Sequence, residues 1–366
     1  MKPIRLTILG ILTPLLLGCS SSAGSYPLNL PAEDYITTLE INDIDDFTIC
    51  VFNDLHISVL TNLTDEIAYY EKCLISNGGI LPSLIVLNGD SFMGATKSQI
   101  ERFFDWIDSK NIPFAYVYGN HDLQGTYSST FIDEMVKSCE HSVLLNLLND
   151  NVFGDSNYVL NIEEIGTPNT LKWQLYFYDS NTYYGVDYDV IHEDQIAWYE
   201  KQQQALEDTG TPDIPSLTFM HIPTEEFEEA YDIIGQNVTS GYDGTDTESL
   251  WYMGESISWG YQETDFYETM QEHGNNKAII VGHDHVNLTD WHYDKDGDSL
   301  DNMMHLIFGL KTGRGIYHDT RIMGASFYTL KDSNEFDIKW MNVPYEDDAF
   351  EITPEYLVGL GEGAIS

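Results

Sequence analysis

The order of apolar runs in this chain predicts an α/β fold, with two mixed β-sheets packed together and helices outside. Three observations lead there. In the first half, short continuous apolar runs alternate with stretches of helical spacing, the pattern of parallel strands joined by crossover helices. In the second half, strand-like runs predominate and several of them alternate. Finally, 366 residues with 42% hydrophobic content can bury a sizeable core, as one large domain or two small ones.

The elements follow in order. An acidic lead-in over residues 26–45 is read as holding one edge strand. Phe47–Asn53 is continuously apolar and predicts a strand buried on both faces. Residues 64–76 have helical spacing, and Leu84–Asn88 is a second buried strand. Residues 97–109 form an amphipathic helix, Pro113–Tyr118 a third strand and 128–139 a third helix. Tyr158–Ile162 and Lys172–Tyr178 alternate like an antiparallel pair. Residues 193–208 are helical, with Glu193 in the first turn, and Leu217–Met220 is a strand ending at His221. Residues 232–260, rich in Gly, Ser, Asp and Trp, are read as a long loop, and so long a loop is usually functional. Residues 262–272 are helical and Ala278–Val281 is a strand. Further strands are expected near 287–293, 303–308, 322–330 and 336–342.

The net charge is −44, from 60 acidic and 16 basic residues. No basic face is available for nucleic acid or anionic lipid, so nucleic acid is not an expected partner. The plain reading is a strongly solvated surface, and the alternative is a surface that gathers cations. Lys2 and Arg5 precede the apolar run Leu6–Leu17, which is too short for a typical membrane-spanning helix. It ends in Leu16-Leu17-Gly18-Cys19, which resembles a bacterial lipobox and implies cleavage before Cys19 and lipidation of its sulfur. Export and membrane anchoring through Cys19 are therefore expected, with residues 20–25 as a small, polar tether. Cys50, Cys73 and Cys139 remain. Cys50 reads as a buried small hydrophobe, and a Cys73–Cys139 bridge stays open.

Five short segments carry metal-binding residue types: Asp54-Leu55-His56, Gly89-Asp90, Gly119-Asn120-His121-Asp122, the lone His221, and Gly282-His283-Asp284-His285. In open α/β sheets, ligands sit beyond the carboxyl ends of the strands. Asp54 follows Phe52-Asn53, Asp90 follows Leu87-Asn88-Gly89, and Asn120 follows Tyr118-Gly119. His221 follows Phe219-Met220, and His283 follows Val281-Gly282. Each alone has a plain explanation, such as a helix cap for Asp90 or an Asx-turn for Asp122. Chance does not readily place all of them in this order. Carboxylate, imidazole and amide together suit Mn, Fe, Co, Zn or Ni rather than all-oxygen Ca or Mg.

The series D-x-H, G-D, G-N-H-D, H, G-H-x-H resembles the signature of the calcineurin-like metallophosphoesterases, over roughly residues 46–345. The resemblance implies a four-layer α/β/β/α sandwich of two mixed β-sheets flanked by helices, and a centre of two divalent transition-metal ions (Mn, Fe, Zn or Co). It implies that Asp54, His56 and His285 hold one ion, that Asn120, His221 and His283 hold the other, and that Asp90 bridges them. Two metals about 3.5–4 Å apart can share a hydroxide nucleophile and clamp phosphate oxygens. His121 would then donate to the leaving oxygen or steady the phosphoryl group, and Asp122 would orient His121. Purple acid phosphatases of this superfamily carry G-D-x-x-Y, whose tyrosine binds ferric iron. Here Met93 stands in that place and His56 is present, so the chain looks most like a short purple-acid-phosphatase-like branch that lacks the tyrosine. Phe177-Tyr178-Asp179-Ser180 and His221-Ile222-Pro223 add to that likeness.

The resulting division is a lipoprotein signal peptide (1–18), a tether and acidic lead-in (19–45), a metallophosphoesterase domain (46–345) and a C-terminal tail (346–366). Lys311, Arg314 and Arg321 cluster with His318. Arg314 is the best candidate for gripping a substrate phosphate, against a basic loop that balances acidic neighbours. Asp294-Lys295-Asp296-Gly297-Asp298 opens like a calcium loop but departs from it at Ser299 and His305, so a β-turn is expected. Asn62, Asn237 and Asn287 lie in N-x-T sequons, which carry no meaning in a bacterial chain. Trp251, Tyr252, Trp259 and Tyr261 either wall a cleft or pack the long loop on the body. The function expected is hydrolysis of small phosphomonoesters. A phosphodiesterase of the same fold, or a surface lipoprotein without catalysis, is the alternative.

Overall fold

A strand covered on both faces must be apolar at every position, and the structure uses the continuous runs in that way. The computed structural model describes residues 36–144, 152–235, 240–242, 249–295 and 303–362. The first half comprises β1 (Ile36–Ile41), β2 (Thr48–Phe52), α1 (Leu63–Leu74), β3 (Leu84–Asn88), α2 (Lys97–Asp108), β4 (Phe114–Val117) and α3 (Ser129–Ser138). Then come β5 (Tyr158–Glu164), β6 (Thr170–Phe177), β7 (Tyr183–Tyr184), β8 (Asp187–Tyr188), α4 (Glu193–Thr209), β9 (Ser216–Phe219) and α5 (Glu226–Ala230). The chain continues with β10 (Ser240–Tyr242), β11 (Leu250–Met253), α6 (Phe266–His273), β12 (Asn276–Val281), β13 (Asn287–Tyr293) and β14 (Met304–Phe308). It closes with β15 (Gly324–Leu330), β16 (Phe336–Asn342), β17 (Phe350–Glu351) and α7 (Pro354–Glu362).

One sheet has nine strands in the order β1-β5-β6-β9-β12-β14-β13-β11-β10, and the other has six in the order β17-β16-β15-β2-β3-β4. β2, β3 and β4 are parallel, as are β6, β9, β12 and β14. The two-residue period sorts each buried strand between two layers. In β6, Trp173, Leu175 and Phe177 join the core between the sheets, while Tyr176 turns outward. There its ring meets Trp198 at 6.1 Å and Tyr199 at 5.1 Å, both on α4. In β12, Ala278 and Ile280 face inward, while Ile279 and Val281 face outward. Phe219 meets Tyr328 across the sheet interface at 6.4 Å. On the far side, Tyr70 of α1 packs on Phe52 and Phe104 of α2 on Tyr116. The order of layers is helix, sheet, sheet, helix, as expected.

Several expectations are revised. The stretch 232–260 is not one long loop. It contains a π-helical turn, Tyr231–Gly235, and two strands, β10 and β11, that extend the nine-stranded sheet. The quartet Leu250-Trp251-Tyr252-Met253 is buried and splits between the two cores like any strand, which explains why it leaves solvent. Residues beyond 346 contribute β17 and α7, with Leu357 and Leu360 buried. Cys73 and Cys139 are free thiols. Cys19, Asn237 and most of the calcium-loop-like segment lie outside the described residues. No helix among the described residues is long and apolar enough to cross a membrane.

One buried amide ties the two sheets together where the strands end. Asn88, the last residue of β3, donates from Nδ2 to Asn53 Oδ1 (3.0 Å), to the Met220 carbonyl (3.1 Å) and to the Ile280 carbonyl (3.3 Å). Asn53 in turn donates to the Leu310 carbonyl at 3.1 Å. Replacing Asn88 by Ala would strand the buried Met220 carbonyl of one sheet and the Asn53 side-chain oxygen beside the other, so the unfolding free energy in urea should fall by about 2 kcal/mol or more. A loss within error of zero would show that the amide is not a tie.

Candidate metal centre

The site forms where the strand ends of both sheets converge. Asp54 follows β2, Asp90 follows β3, the turn 119–122 follows β4, His221 follows β9 and His283 follows β12. Beyond the strands the backbone turns sharply. Asp54 (φ 55°), His56 (φ 48°), Asp90 (φ 53°) and His283 (φ 71°) all adopt the left-handed region. Such conformations cost about 1–3 kcal/mol each in a non-glycine residue and cluster at functional sites. Gly89 is left-handed as well (φ +87°), and a Cβ there would lie 2.3 Å from His221 Nδ1. Gly119 admits the Asp90 backbone so closely that a Cβ would lie 2.3 Å from its nitrogen. These glycines let the ligand-bearing turns nest against one another.

The side chains gather into two trios: Asp54, His56 and His285, and Asp90, His221 and His283. Within the first, Asp54 Oδ1 lies 3.5 Å from His56 Nε2 and 3.4 Å from His285 Nε2. Asp90 Oδ2 lies 3.2 Å from His221 Nε2 and also 3.6 Å from His56 Nε2, so this one oxygen touches both trios. That is where a bridging carboxylate must stand. Asn120 belongs to the adjoining turn, whose His121 N–H donates to Asp90 Oδ1 at 2.7 Å.

The donor atoms fit metal ions because they face one another and no hydrogen bond satisfies them. Asp54 Oδ1, Asp90 Oδ2, Asn120 Oδ1, His221 Nε2 and His283 Nε2 are buried and have no hydrogen-bond partner. Buried polar atoms are rarely left so, and each one needs an explanation. The far nitrogens are held in place. His221 Nδ1 lies 3.0 Å from the Asn88 carbonyl and His285 Nδ1 lies 3.2 Å from the Tyr317 carbonyl. Each Nδ1–H donates to its carbonyl, which turns Nε2 inward. The Nε2 atoms of His56 and His285 face each other at 2.9 Å, a contact that a shared cation explains.

A family profile described as calcineurin-like phosphoesterase matches residues 47–287. The chain belongs to this family. The Arabidopsis thaliana protein named probable inactive purple acid phosphatase 29 is 30% identical over 232 residues, which is 56% of this chain and 55% of that protein. The Saccharomyces cerevisiae phosphatase DCR2 is 27% identical over 223 residues, 54% of this chain and 38% of the yeast protein. The chain thus spans about half the length or less of these relatives. Among solved structures, a dimetal phosphatase from Danio rerio superposes with a TM-score of 0.52 at 12% identity, covering 85% of this chain and 99% of that one. This shows that the fold is shared.

The calcineurin-like site also has its electrostatics set. Burial keeps His56 neutral, with its pKa lowered to about 4, and Lys311 adds to the effect. Burial and the His221 charge lower His283 to about 3. Neutral imidazoles are the form that binds metal, so His221, which burial lowers but the Asp90 and Asp54 carboxylates raise to about 9, would release its proton on binding an ion. Burial pushes the Asp90 carboxyl up, but the charge of His221, 3.2 Å away, outweighs it and holds the group well below the usual carboxylate range.

Two residues take roles other than those expected. Asp122 does not orient His121, whose Nδ1 has no partner. Its carboxylate accepts instead from the backbone N–H groups of Asp90 (2.9 Å), Gly119 (2.7 Å) and Phe92 (2.8 Å). It fastens the Asp90 turn to the Asn120 turn. Lys311 is buried and its Nζ donates to the Asp54 carbonyl at 2.6 Å, so it supports the Asp54 turn rather than meeting a phosphate. Burial lowers its pKa to about 8, against the pull of Asp54 and Asp90.

Arg314 also departs from the sequence-based expectation. Its Nε donates to Glu66 at 3.1 and 3.3 Å, and an Nη lies 3.0 Å from the same carboxylate. The guanidinium is flanked by the rings of Tyr69 and Tyr345. The edge formed by Nε and one Nη is already taken by a carboxylate, so that edge is closed to phosphate. Arg321 pairs with Asp319 in the same way.

An aromatic rim, which sequence reasoning missed, stands in place of a basic cluster. The β7–β8 hairpin belongs to neither large sheet. The Tyr188 ring meets His283 edge-on at 4.3 Å, and Tyr183 stacks on Tyr188 at 5.4 Å. Asn120 Nδ2 donates to the Tyr183 hydroxyl at 3.1 Å, which leaves Asn120 Oδ1 for a metal. Tyr184 stacks on Tyr261 at 4.2 Å, and Tyr317 lies 4.4 Å from His285. Of the four aromatics noted in the 232–260 region and just beyond it, Trp251 and Tyr252 pack into the body, Trp259 donates to Glu228, and Tyr261 stands on the rim.

Asp122→Asn replaces one carboxylate oxygen with a donor that faces backbone N–H groups. Metal affinity, read by competition with a chromogenic chelator, should fall about 10–100-fold. If Asp122 worked through His121 instead, turnover would fall while metal affinity stayed at the wild-type value.

Proposed function

We propose that the protein hydrolyses phosphomonoesters at this two-metal centre. The observation that carries the reading is the ring of buried donor atoms around Asp90 Oδ2 that converge on one another without a satisfying hydrogen bond. Two divalent ions bound there supply an activated water and neutralise charge on the phosphoryl oxygens. The chain's own groups do the rest. Asp90 lies against both trios and sets their spacing. His121 belongs to neither trio, with its Nε2 4.0 Å from Asp90 Oδ2 and a quarter of its side chain open to solvent. It is placed to give a proton to the leaving oxygen. The tyrosine rim receives the remainder of the ester. Relatives named probable inactive share this family, but here the ligand set read from the sequence is complete.

With Mn²⁺ added, the protein should turn over p-nitrophenyl phosphate faster than its bis ester. A chelator or Asp90→Asn should abolish turnover, and His121→Ala should lower it by about a hundred- to ten-thousand-fold with metals retained. Preference for the bis ester would make the enzyme a diesterase. Metal binding without turnover of either ester under Mn, Zn, Fe or Co would leave a non-catalytic surface protein.

We further propose that the protein is exported and held at the cell envelope by a lipid on Cys19. The basic start, the short apolar run and Leu16-Leu17-Gly18-Cys19 support this. Labelled palmitate fed to expressing bacteria should enter the wild-type protein and not Cys19→Ser. Equal labelling of both would sink the anchor.

A further inference from the structure

The nine-stranded sheet carries another group of metal-ligand side chains, at the end away from the dinuclear centre. Asp290 and His292 lie two residues apart on β13 and so share one face. His292 stands directly opposite His305 on the antiparallel β14. That face is the inner one, shared with Leu288 and Ile307 and closed on one side by Phe336, whose ring lies 4.9 Å from His305. His305 is near the start of β14, whereas the dinuclear centre lies beyond the carboxyl ends of its parallel neighbours.

We infer that Asp290, His292 and His305 form a third metal site, for one transition-metal ion such as zinc. The three ligand atoms lie within 4.8 Å of one another. Asp290 Oδ1 is 2.7 Å from His305 Nδ1, and Asp290 Oδ2 is 3.6 Å from His292 Nε2. A tetrahedral ion with ligands at about 2.0–2.1 Å sets donor separations of roughly 3.3–3.5 Å, so small rotations suffice to close the site. The two imidazole rings lie 4.1 Å apart at 52°, tilted rather than stacked, with both directed to the one carboxylate. Their backbone is fixed by the strand pairing, and the His292 N–H donates to Ser249 Oγ at 3.0 Å. Two imidazoles and one carboxylate select zinc, copper or nickel over calcium and magnesium. The side chains are 16–24% exposed, which leaves a fourth position for water. An ion there would clip β13 to β14.

The test is a metal count on the full chain, stripped by chelator, equilibrated with zinc and dialysed. Wild type should hold one more zinc per chain than His292→Ala, and Asp290→Asn and His305→Gln should show the same deficit. In a background of Asp90→Asn with His221→Ala, the difference of one should persist, which separates this site from the dinuclear centre. Cobalt substitution should give a tetrahedral visible spectrum that disappears in the same variants. Equal zinc counts in wild type and all three variants would overturn the site and leave an Asp290–His305 ion pair with a histidine beside it. Should one variant misfold, the other two still decide.

Discussion

Two carboxylates, Asp54 and Asp90, share one small volume shut off from solvent, and the architecture follows from making that tolerable. A buried charge without a partner costs several kcal/mol, and two like charges cost more. The partners must come from far apart in the sequence. The fold supplies them by bringing the carboxyl ends of strands from both sheets to one point, so that histidines from β9 and β12 face aspartates from β2 and β3. Even then, donor atoms remain without a partner, and the cations they await complete the balance.

Holding that arrangement requires an inner scaffold of polar groups that touch no metal. Asn88 spans the two sheets, Asp122 fastens two turns by their backbone N–H groups, and Lys311 supports the Asp54 turn from below. Each is buried, and each side chain bonds to backbone groups of the strands or turns that carry the ligands. The scaffold in turn holds four ligand residues in left-handed conformations that they would otherwise leave. The same ions resolve the other tension in the molecule. A chain of net charge −44 repels anions, and a local concentration of positive charge at the cleft would reverse that field there.

Much of this was legible in the sequence, because the signals were local. A continuous apolar run marks a strand buried on both faces, and a ligand residue just beyond it marks the strand's end. Both hold for β2, β3, β9 and β12. What escaped was direction. Asp122 neighbours His121 in sequence, but its carboxylate turns back to the Asp90, Gly119 and Phe92 backbone. Arg314 sits in a basic stretch, yet its partner, Glu66, lies on a helix some 250 residues earlier in the chain. Leu250-Trp251-Tyr252-Met253 reads as a strand only once a sheet edge is there to receive it, and its Gly- and Asp-rich surroundings concealed that. The tyrosines of β7 and β8 alternate with nothing, so periodicity gave no warning of a hairpin.

That hairpin has an evolutionary consequence. It pairs with neither large sheet, so its length and sequence can drift without shifting the register of any strand that delivers a ligand. Its tie to the centre runs chiefly through Tyr183 and Tyr188. A lineage that kept those two tyrosines could exchange the rest of the hairpin, and with it the shape of the rim, while inheriting the ligand-bearing turns unchanged. Variation would then gather by grafting at the rim, where exchange costs the strand registers nothing.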